Sequence, residues 1–284
     1  MSLRVMHAGA LSVLQDLGRP GLADLGVGAS GAFDRRALRQ ANDLAGNPGD
    51  GAVVESLGGG LALLATRPHV VAVTGAAGPV SIDGRPMDSG RVLALRPGDV
   101  LRLGAPVVGM RWTVGVAGGF TAAPVLGSRS FDTLASLGPA PLTVGDELTV
   151  GSAAGPVSLQ THPAYLSSGG VTVGVVLGPR DDWFTASAVD ALLSTAWRVD
   201  PVSDRIGVRL EGPPLERARP GELASEPVVR GSIQVTGAGR PVVLGPDHPV
   251  TGGYPVIGVV VDADTDALAQ VRPGDVVRFS RRRA

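Results

Sequence analysis

Short apolar runs, each soon closed by Gly, Pro, Asn or Asp, recur from one end of this sequence to the other. Examples are "HVVAVTG" (His69–Gly75), "RVLAL" (Arg91–Leu95), "DVLRLG" (Asp99–Gly104), "MRWTVGVAGG" (Met110–Gly119), "VTVGVVLG" (Val171–Gly178) and "DVVRFS" (Asp275–Ser280). Runs of this length, often alternating with period two and bounded by turn residues, fold as strands. Even "VIGVVV" (Val256–Val261) falls far short of the roughly 20 residues of a membrane-spanning helix. The 42 glycines and 23 prolines supply the turns such a chain needs. A mainly β fold is therefore expected.

Helical patterns are few. Ala37, Leu38, Ala41, Leu44 and Ala45 form one apolar stripe, with Asp34 placed to cap it and "GNP" (Gly46–Pro48) to stop it. A second pattern, "TASAVDALLSTAW", has Thr185 as cap and Val189, Leu192, Leu193 and Ala196 as its inward set. A short third one lies near Asp264–Val271.

At 284 residues the chain can bury a large core in one large domain or two ordinary ones. Two markers recur in the same order: "VTG" at Val73 and Val235, then "RPGDV" at Arg96–Val100 and Arg272–Val276. They point to a duplicated β unit. The small, polar, turn-rich stretch Gly151–Gly170 is the natural boundary, giving units 1–155 and 156–284.

Composition excludes several chemistries. There is no cysteine, so disulfides, thiolate catalysis and Cys-bound metals are out. There is no lysine either; all 25 basic residues are arginine. That removes a Walker-A lysine, a Schiff base, a Ser–Lys dyad and any lysine that could carry biotin. The net charge of −1 provides no global field for nucleic acid or an anionic membrane, and three arginines in the final "RRRA" do not change that. His7, His69, His162 and His248 lack metal-ligand spacing, so no metal site is expected; His69 opens a strand and reads as structural. "MSLRVMHAGALSVLQDLG" contains no sustained apolar segment of the signal-peptide kind, and a cytoplasmic location is expected.

Between Val13 and Asn47 the chain places glycines at 18, 21, 26, 28 and 31, together with many charges, in front of its clearest helix. Such loops let backbone approach a neighbour closely. "GVGASG" (Gly26–Gly31) matches a dinucleotide fingerprint in letters only: no clean strand precedes it and no parallel βαβ unit follows. It reads as a glycine loop entering a helix, or as backbone N–H groups that hold an anion together with Arg19 and Arg35. Ser30 is not on a nucleophile elbow, because G-x-S-x-G is absent. "PDHPVTGGYP" (Pro246–Pro255) is either a loop whose polar groups orient a small ligand or a rigid connection. "SDRIGVRLEGPPL" (Ser203–Leu215) is a cleft edge or an exposed, salt-bridged strand. "GPRDDWFT" (Gly178–Thr185) puts an arginine and two acids at a strand-to-helix junction.

Taken in order, the Val13–Asn47 segment, "GVAGGF" with "LGSRS", "GPRDDWFT", "SDRIGVRLEGPPL", "GSIQV" and "TGGYPVIGVVV" resemble the biotin-dependent carboxyltransferase family. That family includes the C subunit of 5-oxoprolinase, also called allophanate hydrolase subunit 2 or antagonist of a sporulation-kinase inhibitor, and a segment of urea carboxylase. The resemblance covers nearly the whole chain. It implies a mainly β, cyclophilin-like architecture of two β-barrel-type units with a few short helices. It also implies a subunit-B-type partner, a subunit-A-type chain, ATP for the assembled complex, and biotin only if another chain carries it. The substrate would be a small amide or lactam, with 5-oxoproline opened to L-glutamate. The alternatives are a carboxyltransferase component acting on urea or another small amide, and a non-catalytic regulatory binding protein. At "DHPVTGGYP", Asp247, Thr251, Gly252, Gly253, Tyr254 and Pro255 carry the family pattern, whereas His248, Pro249 and Val250 depart from it.

On this reading Asp16, Asp34 and Asp247 are the catalytic candidates. Arg19, Ser30, Arg35, Arg180, Arg205, His248, Thr251, Gly252, Gly253 and Tyr254 are the candidates for binding substrate. The arginines would hold a carboxylate bidentately, and glycine N–H groups would face a developing oxyanion at the amide carbonyl.

Overall fold

The computed structural model describes residues 2–164 and 168–283. They fall into two compact units. The first comprises Met1–Arg19, Ser30–Asp132 and Ser136–Leu166; the second comprises Pro20–Ala29, Thr133–Ala135 and Ser167–Ala284.

In the first unit the strands are β1 (Ser2–Ala8), β2 (Leu11–Gln15), β3 (Val53–Leu57), β4 (Leu61–Ala65), β5 (His69–Ala77) and β6 (Val80–Ile82). They continue as β7 (Arg85–Met87), β8 (Val92–Leu95), β9 (Val100–Leu103), β10 (Val108–Val116) and β11 (Glu147–Thr149). Six form a sheet in the order β11-β1-β4-β9-β6-β7, and five form another in the order β2-β3-β10-β5-β8. The core of this unit takes Leu3, Val5, Leu63, Val73, Leu101, Trp112 and Val114, all at or near zero exposure.

The helix α1 (Arg35–Ala45) forms where the apolar stripe places it. Asp34 Oδ1 accepts from Ala37 N at 2.8 Å, and Gly46 closes the helix with φ 68°. Ala37, Leu38, Ala41, Leu44 and Ala45 are buried, joined by Asn42. The helix is drawn onto the five-stranded sheet by Thr74 Oγ1, which donates to Ala37 O at 2.7 Å. Gly115 of β10 permits this closeness, because a Cβ there would lie 3.0 Å from Ala41 O.

In the second unit β12 (Gly170–Leu177), β13 (Trp197–Val199), β14 (Gly207–Glu211), β16 (Ser232–Val235), β17 (Pro241–Leu244), β19 (Val256–Val260) and β20 (Val276–Arg281) close into a barrel. β15 (Glu226–Pro227) pairs separately with β18 (Thr251–Gly252). Inside the barrel lie Val173, Val175, Trp197, Ile233, Val235, Ile257, Val277 and Phe279. Closure needs a parallel pairing of β12 with β20, and it leaves no free edge among the seven strands. Helix α2 (Ala186–Ser194) is capped by Thr185 as the sequence predicts, but its buried residues are Ala188 and Leu192. Val189 and Leu193 are only half-buried, and Ala196 is exposed. The helix is shifted because Trp197, fully buried, anchors its end by donating from Nε1 to Leu192 O at 3.0 Å. A third helix, α3 (Thr265–Leu268), is a single turn.

The fold is mainly β, as expected. One unit closes into a barrel, while the other is built from two sheets. The segment 156–164, which the sequence reading gives to the C-terminal unit, lies with the first. Ser158 N bonds Leu44 O at 2.9 Å, His162 N bonds Gly90 O at 2.7 Å, and the His162 ring meets Asp43 at 2.9 Å. Both "RPGD" turns have one geometry: the arginine N–H donates to the aspartate side chain, at 2.7 and 2.9 Å, and the glycine has positive φ. The two "VTG" markers differ. The first lies within β5, and the second starts at the end of β16 and turns out of the barrel.

Candidate functional site

The residues singled out in the sequence assemble in three groups. The first belongs to the first unit. Asp16 follows β2, and its carboxylate accepts four hydrogen bonds. Gly18 N, Ser128 Oγ and Ser130 Oγ reach Oδ1 at 2.8, 2.6 and 2.7 Å, and Arg129 N reaches Oδ2 at 2.6 Å. This ties the "QDLG" turn to "LGSRS", two motifs more than a hundred residues apart. Arg19 is buried beside it. Its Nη2 donates to Ser130 O and its Nε to Val125 O at 3.4 Å, while Nη1 has no partner among the described residues. Gln15 also points at this segment, donating to Phe131 O at 2.8 Å.

Ser30 is buried with φ 54°, a left-handed conformation unusual outside glycine, and its Oγ lies 3.4 Å from Phe131 O. Such strain concentrates where the surroundings dictate a backbone shape, as binding sites do. Gly31 answers one part of the glycine-rich stretch. With φ 101°, its Cβ would lie 2.9 Å from Leu17 C, so no larger residue fits. Asp34 gives one carboxylate oxygen, Oδ1, to the helix cap already described, and Arg35 begins the helix half-buried. Beside them Phe33 N donates to Glu55 Oε2 at 2.8 Å. Arg111 pairs with Glu55 at 3.6 Å and stacks over the Phe33 ring at 4.6 Å. The sequence reading missed Glu55 and Arg111, since a charge inside an apolar strand carries no motif.

The second group belongs to the second unit. Asp247, 0% exposed, forms a two-pronged ion pair with Arg205, 3% exposed: Nε–Oδ2 2.8 Å and Nη2–Oδ1 3.0 Å. Thr133 N and Oγ1 also donate to Oδ2, at 2.9 and 2.8 Å. The structure thus brings Asp247 and Arg205 together in a closed charge pair, which the sequence reading did not foresee. His248 follows, with Nδ1 2.7 Å from Pro249 O.

The third group holds "TGGY" and Arg180. Arg180 forms a bidentate pair with Glu226, through Nε at 3.1 and 3.0 Å and through Nη2. The hydrogen bond from Arg180 holds the Glu226 carboxyl below the usual glutamate range, and the same bond raises the arginine. Glu226 belongs to β15, which pairs with Thr251 and Gly252 of β18, so the arginine of "GPRDDWFT" positions "TGGY" at one remove. Gly252 packs against Gln234: a Cβ would lie 2.2 Å from Nε2, which itself donates to Tyr254 O at 3.3 Å. The loop therefore holds a fixed shape, with Tyr254 49% exposed.

Beside Tyr254 opens a pocket of about 520 Å³, lined by Arg217, Glu222, Leu223, Ser225, Gly237, Gly253 and Tyr254. Its size is ample for a small metabolite. Arg217 and Glu222 were not foreseen. They sit in "LERARPGELASE", a charged stretch that carries no motif. Among the described residues, no three His, Cys, Asp or Glu side chains group as a metal site, and no helix is long and apolar enough to cross a membrane.

One unit with a closed barrel and one with two sheets, carrying buried charged loops at Asp247 and Asp16, define a β-rich protein whose candidate sites lie on loops. Comparison with known proteins gives its class. The carboxyltransferase domain, subdomain A and B, is matched over residues 25–281, and the chain belongs to this family. It is 33% identical over 280 residues to the C subunit of 5-oxoprolinase from Escherichia coli strain K12, covering 98% of this chain and 90% of that one. It is 31% identical to urea amidolyase of Lachancea kluyveri, over 98% of this chain but 17% of the relative. The crystal structure of Kluyveromyces lactis urea carboxylase superposes with a TM-score of 0.92 at 28% identity, over 98% of this chain and 27% of the other. The chain therefore spans nearly all of the bacterial protein and a small part of the fungal enzymes.

Proposed function

We propose that this chain is a subunit of an ATP-dependent 5-oxoprolinase, acting with a subunit-B-type partner and a subunit-A-type chain to open 5-oxoproline to L-glutamate. The observation that carries this reading is the end-to-end correspondence with a relative named as the C subunit of 5-oxoprolinase, at 33% identity over 90% of its length. The pocket beside Tyr254 supports it, since it offers a cation, a carboxylate, a hydroxyl and glycine backbone to a small polar ring.

ATP is proposed for the assembled complex. Two features of the loop read as an anion holder do not suit a polyphosphate: the Asp34 carboxylate sits at the N-terminus of α1, and Arg19 is turned onto backbone carbonyls. No step through ATP is assigned to them. Biotin attaches to lysine, and this chain has none, so a biotin group would arrive on another chain. The location proposed is the cytoplasm.

A second reading, a carboxyltransferase component acting on urea, draws on the structural likeness to urea carboxylase. The two are separated by capturing the tagged chain with its partners from native extract and assaying the eluate. Glutamate release that requires both 5-oxoproline and ATP is the expected result. Loss of CO₂ from carboxybiotin that depends on urea, without glutamate release, would favour the second reading.

A further inference from the structure

The pocket beside Tyr254 contains one guanidinium and one carboxylate, and among the described residues neither is neutralised by a partner of opposite charge. In the same unit Arg180, Arg205, Arg219 and Arg230 are paired with Glu226, Asp247, Asp182 and Asp266. Arg217 is different. Its Nη2 donates to a backbone carbonyl, Val235 O, at 3.0 Å, its Nε has no partner, and no carboxylate among the described residues pairs with it. Its backbone is bridged to Phe184, so the side chain starts from a fixed point. Glu222 lines the same pocket and is exposed.

We propose that this pocket recognises the α-carboxylate and α-nitrogen of an amino acid or of its internal lactam, Arg217 taking the carboxylate and Glu222 the nitrogen. This rests on the ring-opening reading and sharpens it. A lactam of this class has its carboxylate on the carbon bonded to the ring N–H, so one cation and one acceptor grip both groups. The ring-opened product presents a carboxylate and an ammonium in the same relation. Urea carries no charge. It would displace water from a guanidinium and a carboxylate without offering either a counter-charge, which is unfavourable. Guanidinium–carboxylate bonds are strong and directional, so Arg217 also sets the orientation of the ring.

The test is isothermal titration of the assembled complex with 5-oxoproline, 2-pyrrolidinone (the same lactam without its carboxylate), L-glutamate and urea. The expected order has 5-oxoproline well ahead of 2-pyrrolidinone and urea. Arg217→Gln should weaken 5-oxoproline by about 10- to 100-fold and leave 2-pyrrolidinone unchanged, with Arg217→Lys between native and Gln. Glu222→Gln, at an exposed position where folding is not at stake, should weaken L-glutamate more than 5-oxoproline. Glutamine still accepts from a lactam N–H but no longer attracts an ammonium. Equal binding of 5-oxoproline and 2-pyrrolidinone, or an affinity unmoved by Arg217→Gln, would overturn the assignment. Arg217-dependent binding without ATP-dependent turnover would keep the assignment and overturn the ring-opening reading. Turnover that is indifferent to Arg217 would do the reverse.

Discussion

At the residue scale, Asp247 and Arg205 bear on both stability and site geometry. Each is nearly or fully buried, and each satisfies the other through two hydrogen bonds. Removing one charge leaves the other buried and unpaired, at a cost of about 3–5 kcal/mol. Asp247→Asn should therefore lower unfolding stability by that amount, measured by urea denaturation. A loss under about 1 kcal/mol, the size of an exposed pair, would mean that the pair is not closed in solution. The acid was legible in the sequence because it belongs to a motif with "TGGY", and "SDRIG" marked its arginine. That the two would bind each other was not legible, since nothing in the spacing of residues 205 and 247 fixes the partner. Arg217 stayed hidden for a related reason: an arginine in a charged loop becomes notable only when its surroundings in the fold are seen.

At the element scale, α1 and the β15–β18 pair separate what a cap does from what a catalytic group does. Asp34→Ala removes the oxygen that accepts from Ala37 N and should destabilise the protein by about 1 kcal/mol. Asp34→Ser keeps a capping oxygen, so it should retain both stability and turnover. A stable but inactive Asp34→Ser would show the carboxylate itself to be catalytic. The β15–β18 pair should respond to acid. Glu226 has a folded-state pKa below its unfolded value, so its contribution is present above the ordinary glutamate range. That contribution is lost as pH falls through the lower, folded value. Amide exchange protection at Gly252, which stands opposite Glu226, should fall on acidification in the native protein but show no such step in Glu226→Gln. An identical step in both would contradict the anchoring role. The strands and α1 were readable because their period and caps are local properties. The buried face of α2 was not, because Trp197, outside the helix, determines how it docks.

At the scale of the whole molecule, fold class and family were legible, while connectivity was not. Strand β1 pairs with β11 through Arg4 opposite Glu147, and β12 lies parallel to β20; both pairings join distant parts of the chain. Alternation tells which residues face a core, but not which strands share a sheet. The unit boundary was misplaced for the same reason, since the contacts of Ser158 and His162 with the first unit leave no mark on composition. The proposed function belongs to an assembly, so the decisive experiment leaves out this one chain. The complex would be reconstituted from purified chains with and without it, and glutamate formed from 5-oxoproline in the presence of ATP would be measured. Glutamate should form with the full set and stay at background when this chain is omitted. Equal glutamate without it, or none from the full set, would rule out a 5-oxoprolinase role for this chain.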